Sequence, residues 1–556
     1  MTWFCSGFAG NFGRRLLLGG CAVAVGIAGA AAAGAEPALR KVSGLSPFAG
    51  CTADTVASQP GINFPDTEIE PWLAVNPANS RNLIAGWQQD RWSDGGARGL
   101  VAGVSIDGGA TWARLVPPNI SKCSGGIYDR ASDPWVAISP NGTAYFLSLA
   151  FNNNRPDGGG GQNAVLVSRS RNGGISWSSA TPLIVDTDGQ ISNDKESMTA
   201  DPLDSRYAYA VWGRIRDFTL PPGKQSGAAA AANPERMRDG AITARERRRM
   251  LKTMSRNTTS AQRAAPIFKG PAVFARTTNG GISWEPPEII YDPGDNAQTI
   301  NNIVEVFPNG VVANFFTNIT AGGETSIGIQ KSFNKGRTFA PATLPVGTTI
   351  TFAGTRTPDR HEPVRDANIL FDVAVDPDNG NLYVVWQDGR FEGIDKVVFS
   401  MSTDGGSNWS EPALIAMTPP SPVRLRNQSF IPSVEVGANH QIVVTYYDFR
   451  FDGSNGQEAA DYFAVFCTPS LKIDCSRRRN WGDGATALRD IRLTPQSFDM
   501  LDAPVARGLF LGDYMGLARR GGAVIPAFGM ADGPNKVSVY TVPIRSKSPQ
   551  ANAAAP

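Results

Sequence analysis

The feature that most constrains the fold of this sequence is an octapeptide that occurs four times, with a fifth, weaker copy. The four copies begin at Ser105, Ser170, Thr277 and Ser402, and the weaker copy covers residues 332–339. Asp or Asn followed by Gly favours a tight hairpin turn with positive φ, and Ser, Thr and Asp side chains bond the turn amides. The final aromatic residue is expected to pack into the adjacent core. The residues expected to hold these turns are Asp107, Trp112, Asn172, Trp177, Asn279, Trp284, Asp404 and Trp409.

The octapeptides resemble the Asp-box, or BNR repeat, of the sialidase-like (neuraminidase) β-propellers, whose pattern is Ser-x-Asp-x-Gly-x-x-Trp. In that family the box lies on the turn between the third and fourth strands of a blade, away from the active site. The resemblance implies an all-β propeller over most of the chain. It bears on chemistry by analogy only, because one fold carries many functions.

A second repeated pattern, a short apolar strand followed by a turn and a second strand, accompanies the octapeptides. Seven apolar segments fit the innermost strand of a blade: 72–75, 135–138, 197–200, 303–306, 371–375, 432–436 and 514–517. They predict a seven-bladed propeller over residues 61–546, without a second domain. We expect residues 36–60 to close the ring together with the strands after Gly522. Six blades, with the last segment as an accessory, are the alternative.

One interval in the repeat is longer than the others. The octapeptides begin at 105, 170, 277, 332 and 402, so the third blade carries an insertion, which we place at residues 218–266. This segment holds ten Lys and Arg residues against three Asp and Glu residues and has no sustained apolar stripe. It is typical of a solvated, low-complexity excursion; a lid or a docking arm is the alternative.

Composition excludes several classes of function. The 52 Lys and Arg residues against 50 Asp and Glu residues give a net charge of +2, which provides no general attraction to nucleic acid. Two His residues argue against a His-ligated metal site and against a His-based catalytic triad. We therefore expect no cofactor and no metal, and we expect a monomer.

The N-terminus has the pattern of an export signal. Arg14 and Arg15 precede an apolar run that ends at a small-x-small cleavage pattern, so residues 1–35 are interpreted as a signal peptide. The paired arginines suggest the twin-arginine route. An uncleaved membrane anchor is the alternative. We expect a periplasmic or extracellular location, no membrane span in the mature chain and a disordered tail at residues 547–556.

Four cysteines remain after the signal peptide, an even number typical of disulfides in an exported chain. Seven residues separate Cys467 and Cys475, a spacing that the end of a hairpin can bridge, so these two are paired. Elimination then pairs Cys51 with Cys123. Four free buried thiols are the alternative.

Propeller geometry brings the polar residues before the first strands and after the second strands to one axial face. The positions before the first strands are Glu68, Glu70, Asp133, Asp194, Lys195, Glu196, Arg365, Asp366, Gln428, Asp513 and Tyr514. Among these, the candidate catalytic residues are Tyr514, Asp513, Glu196, Asp133 and Glu70. After the second strands, Asp–Arg pairs recur, and Arg91, Arg390 and Arg450 are the candidates for binding an anionic substrate. Inter-blade salt bridges are the alternative interpretation of these arginines.

The resemblance implies a secreted exo-glycosidase that hydrolyses terminal sialic acid or a related acidic sugar. Tyr514 lies roughly where the family has its tyrosine nucleophile, and a carboxyl group would protonate the leaving oxygen. The family's Arg-Ile-Pro motif is absent, and residues 69–72 read Ile-Glu-Pro-Trp at that place. Two alternatives follow: a non-catalytic propeller that binds a glycan or a protein, and a polysaccharide lyase on acidic sugars with Lys195 and Tyr514 as its base.

Overall fold

A computed structural model describes residues 38–54, 61–152, 161–218, 267–346, 349–453, 455–484 and 487–546. In these ranges the long elements are all β-strands, and every strand pairing is antiparallel. The predicted all-β class is confirmed. The signal peptide, the 547–556 tail and all of the predicted insertion except Phe218 lie outside the described residues. No helix in these ranges is long and apolar enough to cross a membrane.

The first half of the chain forms three groups of consecutive strands. Strand group 1 is β2 to β5, group 2 is β6 to β9 and group 3 is β10 to β14, and groups 1 and 2 are joined by a single pairing of Ala97 with Ala131. The strands are β1 (Arg40–Lys41), β2 (Glu68–Val75), β3 (Leu83–Arg91), β4 (Ala97–Ser105), β5 (Ala113–Leu115), β6 (Arg130–Ile138), β7 (Ala144–Phe151), β8 (Asn163–Ser170), β9 (Thr181–Asp186), β10 (Ile191–Ala200), β11 (Ala208–Asp217), β12 (Phe268–Lys269), β13 (Ala272–Thr277) and β14 (Glu288–Tyr291).

The second half forms four more groups: β15 to β17, β18 to β21, β22 to β26, and β27 to β29. Strand β1 pairs with β29, so N-terminal residues complete the seventh group. The strands are β15 (Gln298–Val306), β16 (Val312–Ile319), β17 (Thr325–Ser332), β18 (Phe371–Val375), β19 (Leu382–Asp388), β20 (Lys396–Ser402), β21 (Ala413–Leu414), β22 (Ser429–Val436), β23 (Ile442–Asp448), β24 (Ala459–Cys467), β25 (Ile491–Arg492), β26 (Phe498–Asp499), β27 (Gly516–Arg520), β28 (Ala523–Ala531) and β29 (Val537–Thr541). Short 3-10 turns cover Lys122–Ser124, Arg424–Asn427, Ala438–His440, Arg478–Asn480 and Met500–Asp502.

The first strands of successive groups contact one another, and β27 also contacts β2. The cores follow the same cyclic order, because seven hydrophobic clusters each combine side chains of two successive groups. The cluster between the last and first groups contains Leu73 and Trp87 together with Ile525 and Val539. Each group therefore buries both of its faces against neighbours.

The five octapeptides adopt one turn, each directly after the third strand of its group. In the first copy the Ser105 hydroxyl donates to Asp107 (2.8 Å) and accepts the amide of Gly109 (2.8 Å). Asp107 accepts the amide of Thr111 at 3.0 Å. The other four copies repeat these bonds around Asn172, Asn279, Asn334 and Asp404.

Both predicted disulfides form, the one assigned from spacing and the one assigned by elimination. Cys51 is bonded to Cys123, and Cys467 is bonded to Cys475. The first ties the N-terminal segment to the loop after β5, and the second closes a short loop after β24.

The tryptophans of the octapeptides are half-buried. Each packs on the edge of a cluster between two groups: Trp112, Trp177, Trp284 and Trp409 on four different clusters. The indole of Trp409 also donates to the Gly406 carbonyl at 3.2 Å. These side chains therefore cover the rim of the core and do not fill its centre.

We expect Trp409→Ala to lower the free energy of unfolding by about 1.5–3 kcal/mol, roughly half of the cost of truncating a fully buried Trp. Trp409→Phe, which keeps most of the apolar contact, is the matched control and should cost about 1 kcal/mol or less. Denaturant unfolding measures both. A loss at Trp409→Ala as large as that of a core Trp would contradict the rim position.

Candidate functional site

Five of the first strands carry a β-bulge near their N-terminal ends. Each bulge contains a non-glycine residue in the left-handed region, with φ between 48° and 53°: Glu70, Asp133, Lys195, Asn301 and Ile431. Such a residue costs about 1–3 kcal/mol, and bulges re-aim side chains beside functional sites. The repeated strain marks this end of the first strands as the candidate site.

The five predicted catalytic residues come together there. Tyr514, 9% exposed, packs among the carboxyl groups of Glu70, Asp133, Glu196 and Asp513. Burial, and then the neighbouring carboxyl charges, raise the pKa of Tyr514 well above its ordinary value. The phenol is therefore neutral at physiological pH unless a base takes its proton. The catalytic roles of these residues stay predictions.

Glu196 is the least satisfied of these groups. Its side chain is fully buried, and neither carboxyl oxygen has a hydrogen-bond partner in another described residue. Burial, followed by the charge of Asp133, raises the pKa of Glu196 well above its ordinary value, although Lys195 opposes this shift. Among the described residues, only its own backbone amide bonds this carboxyl. A buried carboxyl whose charge has so little support stays protonated at neutral pH and is therefore suited to donate a proton.

Glu70 is also buried but has two donors. Its carboxyl oxygens accept from the Gln88 side-chain amide and, at 3.4 Å, from the backbone amide of Asp513. Burial, and next the charges of Asp133 and Asp513, raise the pKa of Glu70 well above its ordinary value. The cluster thus contains two carboxyl groups that favour the neutral form.

An aromatic wall adjoins the carboxyl groups. Trp72 and Trp135 stack with ring centroids 3.4 Å apart, and Tyr514 lies near both. The Lys195 ammonium lies 3.7 Å from the Tyr514 centroid and 4.8 Å from the Trp135 centroid, as in a cation–π contact. These residues line a small cavity together with Asp366, Asp372 and Asp513, with room for about one water molecule.

Arg365 belongs to the cluster, although sequence reasoning did not select it as a binding residue. Its guanidinium binds Asp513 through two bonds of 2.9 and 2.6 Å and stacks 4.1 Å from the Phe510 centroid. Its position just before a first strand was the available signal. This ion pair fixes the carboxylate that precedes Tyr514.

The three predicted arginines lie in different settings. Arg91 is buried near Glu70, donates to Gln88 at 2.7 Å and faces Phe510. Arg390 binds Asp388 of its own group through bonds of 2.8 and 2.7 Å. Arg450 donates to Asp448 at 2.6 Å and to both carboxyl oxygens of Asp490 at 2.8 and 2.7 Å. Arg91 therefore contacts the carboxyl cluster, while Arg390 and Arg450 bind carboxylates that do not belong to it. Substrate binding by all three arginines stays a prediction.

One group of side chains has donors suited to a metal ion. The potential ligand atoms of Asp376, Asp378 and His440 lie within 4.8 Å of one another. His440 Nδ1 lies 2.8 Å from Asp376, and this contact matches the equivalent turn at Asp201, which accepts from Lys335 at 2.7 Å. A brace between neighbouring groups accounts for the arrangement.

Comparison with protein-family models finds no match, and comparison with curated proteins finds none. Several solved structures are similar. A protein of unknown function from Dyadobacter fermentans is 12% identical, with 92% of this chain and 100% of that chain covered and a TM-score of 0.38. A Hadza microbial sialidase is 12% identical, with 84% and 74% covered and a TM-score of 0.41. The intramolecular trans-sialidase of Ruminococcus gnavus is 12% identical, with 87% and 96% covered and a TM-score of 0.40. These values are too low to transfer a family or an activity.

A second carboxyl cluster lies further along the first strands. Glu305, Asp372 and Glu435 lie on β15, β18 and β22. Burial raises the pKa of Asp372 and of Glu435 to about 7 and that of Glu305 well above its ordinary value. The charges of neighbouring carboxyl groups add to the shifts of Glu305 and Glu435. Lys195 and Arg519 oppose the shifts at Asp372 and Glu435 respectively.

We expect the melting temperature to fall between about pH 5 and about pH 8. Raised pKa values mean that the folded state holds protons that the unfolded chain has released, so stability drops as pH rises from the unfolded value toward about 7. Glu435→Gln should flatten this slope because the amide does not titrate. Thermal unfolding of both proteins across this pH range checks the prediction. Equal slopes of melting temperature against pH, or a melting temperature that rises with pH, would contradict it.

We expect Glu196→Met to raise the free energy of unfolding by about 1–3 kcal/mol, because it removes a buried carboxyl that no other described residue bonds. Glu68→Met is the matched control. Glu68 is equally buried but accepts from Ser43 and Gln89, each at 2.9 Å, so its replacement leaves donors unpaired and should destabilise. Denaturant unfolding at neutral pH shows whether each variant has a higher or a lower free energy of unfolding than the wild type. Destabilisation by Glu196→Met would show that the carboxyl has a structural role.

Proposed function

We propose that this protein is an exported glycoside hydrolase, built on a seven-bladed propeller, that removes a terminal sugar from a glycan. The observation that carries the proposal is the buried Glu196 carboxyl beside Tyr514, which no other described residue bonds. Proteins keep such a group against its cost in stability chiefly where it serves chemistry. The two disulfides favour an oxidising compartment, in agreement with export.

The blade number is supported by the cyclic order of the strand groups. Seven first strands contact in sequence, and the cluster between the last and first groups completes the cycle. Each group corresponds to one blade in this proposal, and β1 supplies the outer strand of the last blade. The turns after the third strands then lie on the face opposite the bulges.

The chemistry follows from the protonation states at the site. Glu196 donates its proton to the glycosidic oxygen as the bond to the anomeric carbon breaks. A flanking carboxylate takes the Tyr514 proton, and the phenolate oxygen bonds to the anomeric carbon. Water then attacks that carbon and gives one proton to a carboxylate of the site. The Tyr514 oxygen leaves and takes its proton back from the flanking carboxyl group, and the sugar is released with a new hydroxyl group.

The substrate class is proposed as sialic acid or a related acidic sugar. The sugar carboxylate requires a cation at the cavity, where Lys195 and Arg365 are the nearest candidates. Arg390 and Arg450 would serve only if they exchanged their present carboxylate partners.

A non-catalytic binding propeller is the second candidate. The closed cavity and the ion pairs of Arg390 and Arg450 favour it, because a packed centre stabilises a ring without performing chemistry. A lyase is less well supported, since the Lys195 ammonium already lies on the aromatic wall, where its charge is favoured.

The deciding experiment is hydrolysis of fluorogenic sialosides and of a panel of uronic-acid and neutral glycosides by the purified protein. Glu196→Gln should lower kcat at least about 100-fold on substrates with poor leaving groups and much less on activated aryl glycosides, as expected for a lost general acid. Tyr514→Phe should lower kcat on both substrate types. Glu435→Gln, a carboxyl-to-amide change outside the cluster, is the control and should keep full activity. Absence of hydrolysis throughout, with glycan binding intact, would favour the binding propeller.

A further inference from the structure

A pair of aspartates beside the central cavity has no role in the mechanism above. Asp366 lies in the segment before β18, and Asp395 directly precedes β20; both are buried. Three successive backbone amides hold them. Ala353 and Gly354 donate to the two oxygens of Asp395 at 2.9 and 2.8 Å, and Thr355 donates to Asp366 at 2.8 Å.

Because these three amides are consecutive, the two carboxyl groups that they hold are close neighbours, and the charge of Asp366 acts on Asp395. Within the described ranges, no lysine or arginine is paired with either of them. Two adjacent carboxylates in a buried site cannot both be charged without a compensating cation, so they share a proton. In agreement, burial and then the charge of Asp366 raise the pKa of Asp395 to about 8, and burial raises that of Asp366.

The pair has a defined orientation toward the cavity. The Gln387 side chain accepts the amide of Ile431 at 2.7 Å, which turns its NH2 group toward Asp366, to which it donates at 3.1 Å. Asp366 lines the cavity that Lys195 and Tyr514 also line. Asp395 does not line this cavity. Asp366 is therefore the member of the pair that can reach a ligand, and Asp395 acts through Asp366.

We propose that Asp366 and Asp395 share one proton and form the second acid–base group of the site, with Asp366 exchanging protons at the cavity and Asp395 as its positioning residue. This role rests on the proposed hydrolase function. In the hydrolytic step, the water oxygen bonds to the anomeric carbon and one water proton passes to the pair, which then holds two protons. The other proton stays on the new hydroxyl group. The pair then returns one proton to solvent, and Glu196 takes one proton from solvent to replace the one that left with the leaving group.

The shared proton can be tested without activity, by the infrared carbonyl band of protonated carboxyl groups in the full chain. Asp395→Asn at neutral pH should remove one protonated carboxyl, because Asp366 no longer has a neighbour to share with. Asp452→Asn is the matched control: Asp452 is buried but ion-paired with Arg426 at 2.8 Å, and the band should not change. If the variant does not fold, Asp366→Asn replaces it and should remove the same protonated carboxyl. An unchanged band in both variants would overturn the shared proton.

The catalytic role needs kinetics on a confirmed substrate. Asp366→Asn should lower kcat at least about 100-fold. Asp395→Asn should retain more activity and shift one limb of the pH profile of kcat/KM by about one unit or more, which a merely structural residue would not do. Full activity of Asp366→Asn would overturn the role even if the infrared result stands. If the wild-type protein hydrolyses nothing, the proposed function and this role fail together, while the infrared result still decides the shared proton.

Discussion

Each strand group in this protein is apolar on both faces, so its stability depends on a neighbour that covers each face. The seven clusters between successive groups meet this requirement, and the cluster of Leu73, Trp87, Ile525 and Val539 meets it for the last and first groups. Strand β1 contributes as well, because it pairs with the edge of β29 and comes from the other end of the chain. A sheet with one uncovered apolar face would expose a large patch to water. The cyclic order of contacts follows from this demand.

The same packing brings seven first strands close together, and there the backbone departs from regular geometry. Five bulges place non-glycine residues in the left-handed region, including the β-branched Ile431. Regular strands would satisfy the ladder at lower cost, so the surrounding sheets must stabilise the strained form. The bulges change the direction in which these side chains point. Glu70, Asp133 and Lys195 therefore contribute to one cluster although they lie on three different strands. The rigid outer sheets thus support a strained centre.

Sequence reasoning was most successful where structure is local. The octapeptide turns use bonds within eight residues, and the Cys467–Cys475 disulfide spans a short loop, so both are readable from spacing. The convergence of Tyr514 with four carboxyl groups was also predictable, because a repeat places equivalent residues at equivalent positions. The second partner of Arg450 was not, since Asp490 comes from a distant loop and nothing in the local pattern indicates it. The Asp366–Asp395 pair was missed for the same reason, and the half-burial of the tryptophans depends on how far neighbouring groups overlap.

The electrostatics of the centre bear on the proposed substrate. The carboxyl groups around the cavity outnumber the cations Lys195 and Arg365, and Arg365 is already bound to Asp513. An acidic sugar can approach such a site only if several carboxyl groups are neutral. Burial provides this condition, since it raises the pKa of Glu70, Glu196 and Asp372. As pH rises, these groups ionise and repel both one another and an anionic ligand. Burial of the carboxyl groups therefore keeps Glu196 protonated, as the proposed mechanism requires, and also reduces the negative charge that an acidic sugar would meet.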